Sequence, residues 1–302
     1  MQIESIKSQT EKISSYEAKK SEVDKAVLLF SGGLDTSVMV KYIQDKYESD
    51  VATLTIDIGQ PGINLEKVKQ KAKNLGATEA FVVDLKEEFA NNYITKAIKA
   101  NALYQDKYPL STAIARYLKV KKAVEIAKKV NADAIAHGST GKGNDQVRFD
   151  SAIQAVAPKI KVLAPVREWG MTRDKELKYA KKHNIPVEAT SEKPYSTDEN
   201  LWGKSSECGP LENPAKEPPE NVFEVVTIPE KAPNEPEYID IKFKNGIPTA
   251  LNGQKMELKQ LIKKTNQIAG KNGVGIIDMT EDRVVGLKSR EIYECPAAVT
   301  IL

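Results

Sequence analysis

Cysteine and histidine are scarce in this chain, with two of each among 302 residues. Cys208 and Cys295 form neither a CxxC pair nor a cluster with histidine, so the sequence predicts no zinc site. So few cysteines, without a pairing pattern, are typical of proteins in the reducing cytoplasm, where we expect this chain to be located.

Long apolar runs are also missing, so we expect no membrane span and no membrane partner. Residues 1–24 are charged and polar and lack the apolar centre of a signal peptide. Their isoleucines, Ile3, Ile6 and Ile13, fit one face of a short amphipathic helix, and a disordered extension is the alternative. The net charge of +3, from 45 basic and 42 acidic residues, lacks the basic excess of a duplex binder, so no nucleic-acid partner is expected.

Short apolar runs alternate with helical patterns over the first half of the chain. The apolar runs cover residues 26–30, 51–56, 80–85, 132–138 and 161–166. Such alternation predicts a parallel sheet with right-handed crossovers and helices on both faces, which is an α/β fold. The length suggests two domains, and we place a nucleotide-binding domain at residues 25–186.

The character of the sequence changes near residue 186. Residues 184–222 are rich in proline, serine, asparagine and glutamate, which predicts a long functional loop or a linker. We expect residues 187–302 to form a second, smaller α+β domain. Its predicted strands and helix cover residues 222–228, 238–243, 256–269 (the helix), 273–279 and 283–287.

The stretch SGGLDTS, residues 31–37, lies between the first predicted strand and the helix after it. Gly32 and Gly33 let an anion approach the backbone, and the unpaired N–H groups of a helix start favour negative charge. A carboxylate at Asp35 suits a phosphate site if a cation bridges the two, which suggests Mg²⁺. The stretch is neither a Walker A loop nor a GxGxxG fingerprint. It therefore predicts a phosphate loop, with a capped glycine turn as the alternative.

A second polar stretch, HGSTGKGNDQVRF at residues 137–149, follows the fourth predicted strand. The guanidinium of Arg148 can bind a carboxylate through two hydrogen bonds, and the carboxylate of Asp145 can bind an ammonium. Thr140 and Asn144 offer donors for a second carboxylate. The set suits an amino acid held beside an adenylate, and a polar loop with a helix cap is the alternative.

The first stretch resembles the pyrophosphate loop of the N-type ATP pyrophosphatases, which cleave ATP between its α and β phosphates. Together with the second stretch, and with others in the same order, it resembles the argininosuccinate synthase family. Those others are DIGQ (57–60), ALYQDKYPLSTAIAR (102–116), YSTDENLWGKSSECGPLENP (195–214) and KNGVGIIDMTEDRVVGLKSREIYECPA (271–297). The resemblance implies a Rossmann-like sheet of the adenine-nucleotide α-hydrolase type, followed by a synthetase domain.

The resemblance implies an ATP-dependent ligase of arginine biosynthesis. In that reaction citrulline is activated as a citrullyl-adenylate with release of pyrophosphate, and the aspartate amine then displaces AMP to give argininosuccinate. The implied cofactors are ATP and Mg²⁺, the implied small-molecule partners are citrulline and aspartate, and the implied assembly is a homotetramer.

The resemblance also implies the site residues. The ATP contacts are Leu29, Phe30, Ser31, Gly32, Gly33, Leu34, Asp35, Thr36, Ser37, Ile56, Ala136, His137, Gly138, Ser139, Thr140, Gly141, Lys142, Gly143 and Asn144. The citrulline contacts are Tyr108, Asn144, Arg148, Ser196, Ser205, Glu281 and Tyr293. The aspartate contacts are Thr140, Asn144 and Asp145.

Three of these residues are assigned to the chemistry itself: Asp35 through Mg-ATP, Lys142 on phosphate charge, and Asp145. A solvated side chain is the alternative for Lys142. His137 is expected to be structural rather than a general base, because the reaction needs little base catalysis. Trp169 and Trp202 are interpreted as packing residues.

The chain departs from the family pattern in four respects. Ser111 and Tyr117 replace a glycine and a proline, Ile56 is bulky where a small residue usually faces adenine, and Ala113 lacks a hydroxyl that some members direct at citrulline. Members of the family also continue into a helical segment and tail that build the tetramer. We therefore expect a C-terminally short chain, as a natural form, a fragment or a deliberate shortening, with a smaller assembly.

Two other functions stay open. A non-catalytic or weakly active homologue would bind ATP and citrulline on the same fold, and the short C-terminus motivates this reading. A tRNA-modifying relative would adenylate RNA instead. The near-neutral charge, the absence of cysteine pairs and the stretch GKGNDQVRF all disfavour the RNA reading.

Overall fold

A computed structural model describes residues 19–186 and 194–302. The predicted extension over residues 1–24 therefore lies mostly outside the described residues, which begin with a single 3₁₀ turn at Lys20–Glu22. None of the helices in the described ranges combines the length and the apolar character that crossing a membrane requires.

A five-stranded parallel sheet forms the first half of the molecule, in the order β3-β2-β1-β4-β5. Its strands are β1 (Lys25–Leu29), β2 (Asp50–Asp57), β3 (Glu79–Asp84), β4 (Ala134–Ala136) and β5 (Lys161–Leu163). The helices between and after them are α1 (Leu34–Tyr47), α2 (Leu65–Asn74), α3 (Lys86–Phe89), α4 (Thr95–Ala100), α5 (Ala115–Lys129), α6 (Asp145–Val156), α7 (Pro165–Trp169) and α8 (Arg173–Lys182). The predicted α/β class is confirmed.

Strand alternation places an apolar core on each face of this sheet. Val27 belongs to one buried cluster with Leu54 and Leu118. Its neighbour Leu28 belongs to the opposite cluster with Met39 and Ile43. Because both faces are buried by helices, the central strands read as continuous apolar runs, which is why the sequence shows them clearly.

Two antiparallel sheets and two helices form the second half. A four-stranded sheet has the order β11-β12-β7-β6, and a three-stranded sheet has the order β10-β9-β8. The elements are β6 (Ser196–Asn200), β7 (Gly203–Glu207), β8 (Ile241–Lys244), β9 (Ile247–Leu251), β10 (Gln254–Lys255), α9 (Leu258–Lys271), β11 (Ile276–Asp282), β12 (Lys288–Glu294) and α10 (Pro296–Ile301). Leu261 and Ala298 share the apolar cluster of Leu118, so one core continues across the two halves. The division between residues 186 and 187 stays a prediction.

Three predicted elements of the second half are wrong. Residues 184–222 are predicted to be loop; residues 187–193 lie outside the described part of the chain, but the rest contains the hairpin β6–β7, whose polar residues line a cleft and carry no apolar signal. Residues 283–287 form the turn between β11 and β12 rather than a strand.

The third is residues 222–228, which form no strand. The Glu294 carboxylate accepts backbone N–H bonds from Glu224, Val225 and Val226, with Oε1 at 3.0, 2.7 and 2.8 Å. A side chain thereby takes the donors that a strand partner would have used.

Candidate functional site

A cleft of about 610 Å³ opens at the carboxyl ends of β1, β2 and β4. The hairpins β6–β7 and β11–β12 form its opposite wall, through residues such as Ser205 and Glu281. Open parallel sheets bind ligands at this edge, because the loops that follow the strands converge there. Both polar stretches singled out in the sequence border this one cleft.

Most of the expected contacts line the cleft. They are Leu29, Phe30, Ser31, Ile56, Tyr108, His137, Gly138, Ser139, Thr140, Gly143, Asn144, Asp145, Arg148, Ser196, Ser205, Glu281 and Tyr293. Other expected ATP contacts lie beyond its walls in this structure: Gly32, Gly33, Leu34, Asp35, Thr36, Ser37, Ala136, Gly141 and Lys142.

The SGGLDTS stretch forms the turn between β1 and α1. Gly32 has a φ of +81°, and Gly33 precedes the first residue of α1 without any side-chain cap. The Ser37 hydroxyl donates to the Gly33 carbonyl at 2.6 Å, and the hydroxyls of Ser31 and Thr36 lie 3.1 Å apart. A helix start with no side-chain acceptor leaves N–H groups for an anion, so this turn has the local properties of a phosphate loop.

Asp35 is exposed on the first turn of α1 and faces α8 rather than the cleft. Its carboxylate is hydrogen-bonded to the buried Glu176. Burial, and then the charge of Asp35, raise the pKa of Glu176 to about 7. Across residues 19–186 and 194–302 no group of three or more His, Cys, Asp or Glu could hold a metal ion. Asp35 is therefore not part of a resident metal site among the described residues.

Asn144 joins the second stretch to the hairpin β11–β12. Its Nδ2 donates to Glu281 Oε1 at 2.8 Å and to the Asp282 carbonyl at 3.0 Å. Its Oδ1 accepts from the Val284 N–H at 2.9 Å. Arg283 adds a bond of 3.3 Å to the Lys142 carbonyl. The loop after β4 is thus held directly against the opposite wall.

Asp145 lies between two arginines at the start of α6. Arg116 Nη2 donates to its Oδ2 at 2.5 Å, and Arg148 Nη1 donates to its Oδ1 at 2.8 Å. Burial alone would raise the pKa of Asp145, but the charges of Arg116 and Arg148 outweigh it and hold that pKa well below its usual range. Arg116 also donates to Asp198 on β6, which places a carboxylate from each wall on one guanidinium.

Tyr108 and Tyr293 stack with their ring centroids 3.7 Å apart. The Tyr293 hydroxyl donates to Glu281 Oε2, and Arg148 Nη2 lies 3.7 Å from Glu281 Oε1. Burial raises the pKa of Tyr108 to about 12, and burial together with neighbouring Tyr108 and Glu281 raises that of Tyr293. Both tyrosines are therefore neutral at physiological pH.

His137 has both ring nitrogens engaged. The Ser139 N–H donates to Nδ1 at 3.2 Å, so Nδ1 is unprotonated and Nε2 carries the hydrogen that points to Asp150 Oδ1 at 2.9 Å. Burial alone would raise the pKa of Asp150, but its bonds with His137 and Arg167 lower it. This geometry agrees with the expectation that His137 is structural.

The departures from the family pattern fall at different depths. Ser111 is buried and accepts a 3.4 Å contact from the Cys295 thiol, whereas Tyr117 is 50% exposed and does not line the cleft. Ile56 lines the cleft as expected, and Ala113 is buried outside it. These positions shape the packing beside the cleft, and only Ile56 can change its width directly.

The two tryptophans pack as interpreted. Trp202 is fully buried, and its indole donates to the Pro109 carbonyl at 3.1 Å. Trp169 meets the ring of Tyr42 edge-on at 5.2 Å.

Sequence reasoning missed a set of charged residues that line the cleft: Arg116, Lys119, Asp198, Glu199, Glu207, Arg283 and Glu291. The carboxylates of β6 and β7 lay in the stretch that was predicted to be loop, so their common face could not be recognised.

Two known protein-domain families match this chain. Residues 25–186 match the family described as Arginosuccinate synthase N-terminal HUP domain, and residues 195–302 match Arginosuccinate synthase C-terminal domain. The parallel sheet thus belongs to a HUP-type α/β domain, and the hairpins on the other side of the cleft belong to the C-terminal domain. The chain belongs to the argininosuccinate synthase family, which confirms the resemblance.

Curated relatives named argininosuccinate synthase are similar over most of this chain. The protein of Pyrococcus furiosus is 59% identical over 276 residues, covering 91% of this chain and 66% of the relative. Those of Streptococcus suis and Rubrobacter xylanophilus are 54% and 55% identical, each covering 92% of this chain and 70% and 68% of the relative. The chain spans about two thirds of the length of these relatives.

Among solved structures, the U34-tRNA thiolase NcsA from Methanococcus maripaludis with its [4Fe-4S] cluster matches 57% of this chain and 60% of that chain. Its TM-score is 0.34 and its identity 16%, so it carries no argument about function.

Proposed function

We propose that this chain is an AMP-forming ligase that joins citrulline and aspartate into argininosuccinate. The observation that carries the proposal is the Asn144–Glu281 hydrogen bond. It holds the stretch that follows β4 against the Glu281–Tyr293 wall, so groups suited to ATP and to an amino acid face one cleft. The relatives that bear the name of that enzyme are similar to this chain over 91–92% of its residues.

We assign ATP to the sheet side of the cleft. The triphosphate lies at the turn around Gly32 and Gly33, where the N–H groups at the start of α1 stabilise negative charge. The adenine lies against Ile56 at the end of β2. Asp35 would hold the Mg²⁺ of the nucleotide by turning its carboxylate from Glu176 toward the phosphates, and Lys142 would stabilise phosphate charge from the loop after β4.

Citrulline lies on the hairpin side. Arg148 can offer its guanidinium to the substrate carboxylate, because its bond to Asp145 uses only Nη1. Glu281 and the hydroxyls of Tyr293 and Tyr108 suit the N–H-rich and oxygen-bearing ends of the molecule. Ser196 and Ser205 complete the polar wall.

The chemistry follows from placing these substrates in line. The ureido oxygen of citrulline attacks the α-phosphorus, an O–P bond forms, and the bond to the β-phosphate oxygen breaks to release pyrophosphate. The aspartate amine, held beside Asp145, Thr140 and Asn144, then attacks the ureido carbon, and the C–O bond to AMP breaks. The protein contributes orientation and charge, since the adenylate supplies the leaving group.

The alternative is a homologue that binds ATP and citrulline without efficient turnover. Nothing in the cleft favours it, because the expected substrate contacts are assembled on one surface. We also propose a cytoplasmic location, which suits two cysteines that are both free. The oligomeric state stays a prediction.

The test is pyrophosphate release from Mg-ATP, with citrulline alone and then with citrulline and aspartate. We expect release that requires citrulline, and argininosuccinate only when aspartate is added. Absence of citrulline-dependent release, while calorimetry still shows ATP and citrulline binding, would support the non-catalytic alternative. Tight salt-dependent binding of tRNA without that release would favour the RNA-modifying reading.

A further inference from the structure

Lys119 is a largely buried ammonium that faces the cleft and forms no hydrogen bond with the residues that the structure describes. It follows Arg116 by one turn on α5, and its side chain is 16% exposed. Its one charged contact within the described ranges is Asp198 Oδ1, at 4.0 Å, which is too long for a hydrogen bond. Removing an ammonium from water without a hydrogen-bonded anion costs free energy. A bound acceptor at this position would offset that cost.

The neighbouring carboxylates are already bound by arginines. Arg116 donates to both Asp145 and Asp198, and Arg148 donates to Asp145. Burial lowers the pKa of Lys119, and the attraction of Asp198 only partly opposes this. Within the described residues, Lys119 therefore keeps ion-pairing capacity that the protein itself does not use.

The substrates of the proposed reaction contain one anion that has no assigned cation or donor. The triphosphate is assigned to the turn before α1 and the citrulline carboxylate to Arg148. The Thr140 hydroxyl, beside Asn144, serves the aspartate carboxylate that is next to the ammonium, because Asp145 in the same stretch holds that ammonium. The side-chain carboxylate of aspartate is left, and it extends away from Asp145.

We propose that Lys119 binds the side-chain carboxylate of the aspartate substrate and selects a dicarboxylic amino acid over its amide. Arg116 pairs with both Asp145 and Asp198, and Asp198 Oδ1 lies 4.0 Å from the Lys119 ammonium, so Asp145 and Lys119 border the same part of the cleft. This inference rests on the proposed function and adds the residue that recognises the second substrate.

The experiment compares Lys119→Met, which keeps the apolar stem, with Lys119→Arg, which keeps a cation. The matched control is Lys121→Met on the same helix, whose exposed ammonium pairs with Glu88 at 2.8 Å outside the cleft. For Lys119→Met we expect KM for aspartate to rise about ten- to a hundredfold, the loss of one charge-assisted hydrogen bond. Discrimination against asparagine should fall by a similar factor, while citrulline-dependent pyrophosphate release is unchanged.

Lys119→Arg should recover part of the aspartate affinity, and Lys121→Met should match the parent protein. An unchanged KM for aspartate in Lys119→Met would overturn the assignment. An equal loss of citrulline-dependent pyrophosphate release would overturn it as well, because Lys119 would then act on ATP or citrulline.

Calorimetry separates this inference from the reaction itself. Aspartate is titrated into the parent protein and into Lys119→Met, each with citrulline and a non-hydrolysable ATP analogue. Weaker aspartate binding in the variant supports the inference even if turnover is absent, whereas equal binding refutes it whatever the turnover.

Discussion

Asn144 and Glu281 are 137 positions apart in the chain, and a 2.8 Å hydrogen bond from Asn144 Nδ2 to Glu281 Oε1 joins them. Asn144 lies in the loop between β4 and α6, and Glu281 is the second-last residue of β11, just before the hairpin turn. The bond connects the nucleotide side of the cleft to the amino-acid side. Changes at the Glu281 end should therefore affect citrulline more than ATP.

Tyr293→Phe tests the Glu281 end of this connection. The substitution keeps the stack on Tyr108 but removes the hydroxyl that donates to Glu281 Oε2, leaving a buried acceptor without its partner. We expect KM for citrulline to rise about tenfold, the cost of one unsatisfied buried group, while ATP affinity is unchanged. Steady-state kinetics with each substrate varied in turn measures both. Tyr195→Phe, which removes an exposed hydroxyl bound to Asn221, is the control; equal effects in the two variants would count against a role for Tyr293.

Asp145→Ala tests the assignment of the aspartate ammonium. Citrulline-dependent pyrophosphate release should fall only a few fold, since Arg148 keeps its contact with Glu281. Argininosuccinate formation should fall at least about a hundredfold, because the substrate ammonium loses the partly desolvated carboxylate that holds it. Single-turnover assays of the two half-reactions separate these effects. Arg148→Lys should show the opposite selectivity, with citrulline affinity reduced most. Equal losses in both half-reactions for Asp145→Ala would show that this assignment is wrong.

Glu199→Gln should change how stability depends on pH. Burial, reinforced by Glu294, raises the pKa of Glu199 from its usual 4.5 to about 7. The folded protein therefore keeps a proton that the unfolded chain releases, so stability falls as pH rises from about 4.5 through about 7. The unfolding free energy of Glu199→Gln, measured relative to that of the parent protein, should increase by on the order of 2 kcal/mol from pH 5 to pH 8. This figure allows for the partial exposure of the side chain.

Urea unfolding at both pH values measures the difference, with the exposed Glu230→Gln as control. A parent–variant difference that is the same at pH 5 and pH 8 would remove Glu199 as the cause.

Gly203→Ala should destabilise the hairpin that carries Asp198 and Ser205. Gly203 has a φ of +155°, and an added Cβ would lie 2.5 Å from the Cys295 sulfur and 3.0 Å from the Glu294 carbonyl oxygen. We expect a loss of about 2–4 kcal/mol in unfolding free energy. Gly253→Ala, with a φ of +75° but nothing within 4 Å, should lose only about 1 kcal/mol. Similar losses in both variants, measured by chemical denaturation, would mean that backbone conformation and not crowding decides the cost.

Local patterns determined a large part of this protein. Buried parallel strands need continuous apolar runs, so the strand that contains Val27 and Leu28 is visible without a structure. A phosphate turn needs small residues between a strand and a helix, and the stretch with Gly32 and Gly33 satisfies that locally. The α/β class, the two polar stretches and the family all follow from features that lie within short segments.

Only the tertiary structure decided which charges share the cleft. Asp198 lies among other polar residues, so the local sequence does not distinguish it. Nothing near it in the chain indicates its contact with Arg116, which is 82 positions away. The Glu294 carboxylate takes backbone donors of residues 224–226 and prevents a strand that their composition favours. Lys119 reads as one more solvated lysine until α5 is buried against the sheet. Charge pairing and desolvation depend on distances between segments, so they arise from the packing of the chain and not from its local order.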